Sequence, residues 1–162
     1  MNVCYCDASA LVKRYAPEAG SAWISELANP NSATVILLSE ITLAEVAAAL
    51  AAKQRIARGI TLEERDRALS YFLNECDNRF LLLPVDCNVV DSAVDLTQRY
   101  RLRGYDAVQL AAALIANHDL EERGFQALTF IAADDDLIFA ASGEGLGVDN
   151  PVEHEAQSAP QR

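Results

Sequence analysis

Short apolar runs recur along this chain, separated by stretches with helical spacing, and that alternation constrains the fold more than any single residue. Asn2 to Cys6 reads as a strand, and Thr34 to Leu38 is a continuous apolar run of the kind buried on both faces of a sheet. Phe80 to Leu83 reads as a third buried strand before Pro84, Ala127 to Ala132 as a fourth, and Leu146 to Val148 as an added edge strand. Strands that alternate with helices pair in parallel and are covered on both faces, which predicts an α/β/α arrangement around a central parallel sheet. All strand C-termini then lie along one edge, where open α/β sheets bind their ligands.

Acids fall where that architecture gathers them. Asp7 follows the first strand directly, with Ser9 two residues on, and Ala8 to Tyr15 has helical character that stops before Pro17. Asp7 is therefore either the cap of that helix or an acid that binds something. Leu102 to Ala116 is an Ala-rich apolar helix whose first turn holds Asp106, with Gly104 releasing the incoming chain and Gln109, Leu110 and Ala113 on the same face. A helix N-terminus favours a carboxylate in any case. Ile41 to Leu50 is a helix with Glu45 on or near its apolar side. Thr42 and Glu45 also fit a T-x-x-E capping box, and Glu40 stands just ahead as an extra acid. Asp134, Asp135 and Asp136 follow the fourth strand and open a short helix, Leu137 to Ala141; Asp134 is the choice for the acid at the sheet edge, although N-capping by one of the three is expected anyway.

The remaining stretches carry structure rather than chemistry. Gly20 to Asn29 is amphipathic, and Thr61 to about Asn78 opens on a capping box of Thr61 and Glu64, with Leu69, Phe72, Leu73 and Cys76 inward. Asp86 is the expected cap of a helix marked by Val89, Val90, Ala93, Val94 and Leu96. Lys13 and Arg14 are expected in solvent, His118 in a polar loop from Asn117 to Gln126, and Arg99, Arg101 and Arg103 at a basic rim beside Asp106.

A chain of 162 residues, 51% hydrophobic, is expected to form one domain over residues 1–151, with residues 152–162 a disordered tail. No apolar run reaches the ~18 residues of a membrane span, and no basic stretch leads into a long apolar one at the N-terminus, so a cytoplasmic location without membrane contact is expected. Cys4, Cys6, Cys76 and Cys87 lack zinc-ligand spacing, and Cys4 and Cys6 read as small buried hydrophobes. Twenty-four acidic against thirteen Lys and Arg residues give a net charge of -11, which argues against nonspecific adhesion to nucleic acid. It leaves room for a nuclease that meets phosphate through metal ions. Four carboxylates converging without basic partners repel one another unless a divalent cation lies between them, and oxygen-only ligation suits Mg²⁺ or Mn²⁺.

At this point the chain resembles the PIN-domain family, and within it the VapC-type toxins of toxin–antitoxin pairs. The matching pieces are Asp7 to Lys13, Ser39 to Leu50, Arg103 to Ala113, Ala133-Asp134 with Leu137, and Gly145-Leu146 to Asn150-Pro151. The resemblance implies a PIN-like three-layer fold and a metal-dependent ribonuclease with Asp7, Glu45, Asp106 and Asp134 as the acidic set. One or two Mg²⁺ or Mn²⁺ ions would be held by Asp7 and Asp106, with Glu45 and Asp134 binding directly or through water. Ser9 and Gln109 would orient water or phosphate, and Arg103 would meet phosphate. It further implies a homodimer and a small VapB-type antitoxin that blocks the site. One departure is Ala132, where the family usually has Ser or Thr two residues before the last acid. The rival readings are a PIN-like module without catalysis, whose acids receive an Arg from a protein partner, and a phosphotransfer domain with Asp7 as nucleophile. The latter is weakened because Ser9 stands where the second acid of an Asp-x-Asp pair is expected.

Overall fold

β1 (Asn2–Cys6) is the middle strand of the sheet, and its alternation divides the molecule into two cores. Val3 and Tyr5 join the apolar cluster on one side, and Cys4 and Cys6 join the one on the other. The protein's structure is a computed structural model and describes residues 2–157. Among these the strand order is β3-β2-β1-β4-β5, every pairing parallel. β2 (Thr34–Ser39) and β4 (Thr129–Ile131) flank β1, with β3 (Leu81–Leu83) outside β2 and β5 (Gly147–Asp149) outside β4. The chain therefore builds outward through β2 and β3, returns across β1 and builds outward again. The ends of β1 and β4 meet where the order reverses, the place such sheets take ligands.

Helices cover both faces, as expected. α1 (Ala8–Leu11), its 3-10 extension Val12–Arg14, α2 (Ser21–Leu27), α3 (Ile41–Arg55) and α4 (Leu62–Asn78) pack on the Cys4 side. α5 (Cys87–Arg99), α6 (Gly104–Glu122) and α7 (Asp135–Gly143) pack on the Tyr5 side. The alanines of α6 have a packing reason: Ala107, Ala111, Ala112 and Ala113 are buried, and small side chains let α6 lie close against α5. Cys4, Cys6 and Cys76 are buried and Cys87 exposed, all four as free thiols. No helix among the described residues is long and apolar enough to cross a membrane.

Several local expectations are corrected. β3 is an edge strand with Leu81 exposed, because nothing pairs with it beyond β2; an apolar run does not reveal how many neighbours it will have. Leu73 is on the solvent side of α4, one residue round from the buried Phe72 and Cys76. His118 is helical, since α6 continues to Glu122, where Glu122 pairs with it at 3.3 Å. Lys13 and Arg14 turn inward because each finds an acid. Lys13 Nζ lies 3.0 Å from Glu18 Oε1, and Arg14 donates through Nε and Nη2 to the two carboxylate oxygens of Glu75, each at 2.8 Å.

Pro151–Gln157, all but the proline within the expected tail, form a 3-10 segment. The His154 ring stacks on Trp23 with centroids 4.3 Å apart and lies 2.7 Å from Asp149 Oδ1. Gly20 makes room for this segment: its φ is +90°, and a Cβ there would stand 2.8 Å from Pro151. Residues 158–162, part of the same expectation, lie outside the described residues.

Candidate active site

Asp7 follows β1 and caps α1. Its backbone N–H donates to the Ile131 carbonyl at 2.9 Å, which joins the end of β1 to the end of β4, and its Oδ2 accepts from the Ser9 N–H at 2.9 Å. The side chain is buried, with only 4% of the residue exposed. Burial raises its carboxyl above the usual range, aided by the charge of Asp106 and opposed by hydrogen bonds from Ser9 and Ala8. Ser9 performs a second task. Its Oγ accepts the Ala133 N–H at 2.9 Å across 124 residues and so holds the start of the acidic turn beside Asp7.

Asp134 caps α7, its Oδ1 accepting from the Leu137 N–H at 2.9 Å, while Asp135 and Asp136 continue into the helix; all three are exposed. Ala132, where Ser or Thr was expected, is buried and donates its N–H to the Asp149 carbonyl. Asp106 is in the first turn of α6 and accepts from the Arg103 N–H at 3.2 Å, so its ordinary capping role is met. It is nonetheless raised, first by burial, with the charges of Asp134 and Asp136 adding and Arg103 subtracting. Two of the three acids after β4, Asp134 and Asp136, are thus felt at Asp106.

Glu45 projects from α3. The capping box expected of Thr42 and Glu45 does not form, because the helix begins at Ile41 with Glu40 in the cap position; that places Thr42 inside the first turn. Thr42 is fully buried, and its Oγ1 accepts from Gln109 Nε2 at 2.9 Å. The same Nε2 donates to Glu45 Oε2. Burial, then the charges of Asp7 and Asp106 against that one hydrogen bond, pushes Glu45 up to about 7. Glu40 is exposed.

Asp7, Glu45 and Asp106 are therefore brought within reach of one another's charge, and Asp134 within reach of Asp106. Among the described residues none of them stands in an ion pair. The basic rim is thinner than expected: Arg99 is committed to Glu144, together with the Tyr100 hydroxyl, which leaves Arg101 and Arg103 exposed on the approach to Asp106. No group of three or more His, Cys, Asp or Glu side chains among the described residues is gathered tightly enough to hold an ion by itself. Mg²⁺ ordinarily keeps several waters and takes only one or two carboxylates from a protein. An all-oxygen, anionic set without a cation beside it fits that mode. The sequence did not flag Tyr5, which lies in an apolar strand with no local pattern to mark it, and it marked Thr42 only as a candidate cap.

Residues 4–141 match the family model for the PIN domain. No curated protein matches the chain. Among solved structures the fold is similar to VapBC2 from Rickettsia felis bound to a DNA fragment from its promoter, with a TM-score of 0.61, 14% identity, and 91% of this chain and 98% of that one covered. It is also similar to the Mycobacterium tuberculosis toxin VapC20, described as cleaving the sarcin-ricin loop, at TM-score 0.59, 17% identity and 90% and 96% coverage. A toxin–antitoxin complex from Klebsiella pneumoniae follows at 0.57, 19% identity and 91% and 97% coverage. At these identities the likeness is one of fold.

Proposed function

The chain belongs to the PIN-domain family, and on that premise we propose that it is a metal-dependent endoribonuclease, the toxin of a VapBC-type pair. The observation that carries this reading is the acid set itself. Asp7, Glu45 and Asp106 are each raised by burial and by the charge of neighbouring acids, and no cationic side chain pairs with them among the described residues. A fold that keeps three carboxyls in that state gains from a divalent cation.

In this reading Asp7 and Asp106 hold Mg²⁺ or Mn²⁺, with Glu45 and Asp134 completing the set directly or through water. The ion, when bound, supplies positive charge against the phosphate and makes water more acidic. The chain's own residues do the rest. Ser9 keeps the β4 turn next to Asp7, Gln109 aims Glu45, and Arg103 gives the RNA backbone a positive contact at the rim.

The expected reaction is cleavage of RNA to products with 5′ phosphates and 3′ hydroxyls, water being the nucleophile and the ribose 3′ oxygen the leaving group. Purified protein should lose this activity in EDTA and regain it with Mn²⁺. Asp7→Asn and Asp106→Asn should each lower the rate about 10²-fold or more, as expected of groups that position a metal. Cleavage untouched by EDTA sinks the reading. A cognate antitoxin should insert an Arg into the acid pocket, because a guanidinium fork matches paired carboxylates.

A second reading keeps the fold as a silent module that binds a basic partner, and the lack of a closed three-ligand group among the described residues favours it. It predicts no shift in melting temperature with Mn²⁺.

A further inference from the structure

We propose that Tyr5 is a positioning residue for Glu45, acting through the buried side-chain amide of Gln109. The inference rests on the metal-dependent reading above. Tyr5 lies in the middle of β1 with no exposed surface, its ring stacked on Phe130 at 5.5 Å and 8°. Its hydroxyl donates to Gln109 Oε1 at 2.5 Å. Burial, aided by the charge of Asp7, keeps the hydroxyl protonated. A protonated phenol has one proton to give, and Gln109 Oε1 takes it.

That gift decides which way the amide points. Gln109 is fully buried, and a glutamine amide carries an acceptor at one end and two donors at the other. With Oε1 turned to Tyr5, Nε2 faces Thr42 Oγ1 at 2.9 Å and Glu45 Oε2. In the reversed orientation a carbonyl oxygen would face the Glu45 carboxylate, acceptor against acceptor, and the amide N–H would meet the Tyr5 O–H, donor against donor; Thr42 Oγ1, 3.3 Å from Oε1 as well, is in reach of either end. Tyr5, Gln109 and Glu45 therefore form one hydrogen-bonded chain running from β1 through α6 to α3. Glu45 is aimed toward Asp7 and Asp106 by a hydroxyl that does not touch it. Outer groups that orient a ligand in this way typically affect metal affinity by 10- to 100-fold.

The test compares Tyr5→Phe with Tyr15→Phe in the full chain. Both remove only a buried hydroxyl, but that of Tyr15 bonds Glu75 at 2.7 Å, away from the acids. Mn²⁺ affinity is read by calorimetry, with the metal-free melting temperature recorded beside it. Tyr5→Phe should weaken Mn²⁺ by about 10-fold or more while Tyr15→Phe leaves the affinity at the wild-type value. Adding Tyr5→Phe to Gln109→Leu should cost nothing further, since the hydroxyl acts through the amide. A Tyr5→Phe protein that binds Mn²⁺ like wild type overturns the inference alone, as does an equal loss in Tyr15→Phe. A wild type that binds no Mn²⁺ overturns the metal reading and this inference with it. A measurement without variants bears on the same point: the Gln109 side-chain amide protons in wild type should be protected from exchange with water, and rapid exchange overturns the locked amide.

Discussion

Glu45 sits half out of water beside two other acids, and burial followed by the charges of Asp7 and Asp106 pushes its carboxyl up to about 7. In an unfolded chain glutamate titrates near ~4.3. Between those values the folded protein holds a proton that the unfolded chain has released, so stability falls as pH rises through the window. Asp7 and Asp106 are shifted in the same direction and add to the slope. The metal-free protein should therefore melt higher at about pH 5.5 than at about pH 8, and Glu45→Gln should raise the value at the higher pH and flatten the profile. A melting profile that Glu45→Gln leaves unchanged refutes the assignment of the slope to this acid cluster.

Between elements, the charge logic reverses at Glu75, which is 2% exposed and set on α4. Arg14 from the 3-10 extension of α1 grips both its oxygens, Arg79 reaches it from the end of α4, and the Tyr15 hydroxyl donates at 2.7 Å. Burial raises this carboxyl, but the bonds from Arg14 and Tyr15 outweigh it and hold the group below its usual value. The cluster ties α4 to the segment that follows Asp7. Glu75→Ala leaves two guanidinium groups without their acid in a nearly dry place and should cost about 3–5 kcal/mol, the range for breaking a buried pair. Urea denaturation of the metal-free protein measures it, and a loss within about 1 kcal/mol assigns the cluster the small worth of a surface ion pair.

For the whole molecule, a net charge of -11 makes two copies repel except where a face is nearly free of charge. Such a face exists along α5 and the start of α6. A groove of about 510 Å³ is lined there by Val85, Val90, Val94, Tyr105 and Val108, with Val94 56% and Tyr105 63% exposed. The homodimer that the resemblance implies is expected to form on this face, next to Asp106, so that apolar surface rather than acid meets the second copy. Analytical ultracentrifugation should give a dimer for wild type and a monomer for Val94→Asp with an unchanged melting profile. A Val94→Asp protein that remains dimeric places the interface elsewhere.

Much of this molecule was legible locally. The alternation of apolar runs with helical stretches is a matter of period, and it carried the parallel sheet, the two helical layers and the position of Asp7 at the end of β1. The Ala-rich face of α6 and the caps at Thr61 and Asp86 were equally local, because each depends on residues within a turn of one another. What the sequence could not reveal depends on partners distant along the chain. Whether an apolar strand lies at the edge or in the interior is decided by its neighbours, so β3 was misplaced. Whether a Thr and a Glu three apart cap a helix or enter a site depends on where the helix starts, and α3 starts two residues too early for Thr42 to be its cap. Tyr5 meets Gln109 across 104 residues, Thr42 meets it across 67, and Ser9 meets Ala133 across 124. Hydrogen bonds carry no trace in sequence of the residue at their other end, and so only the tertiary structure decided which buried amide aims which acid.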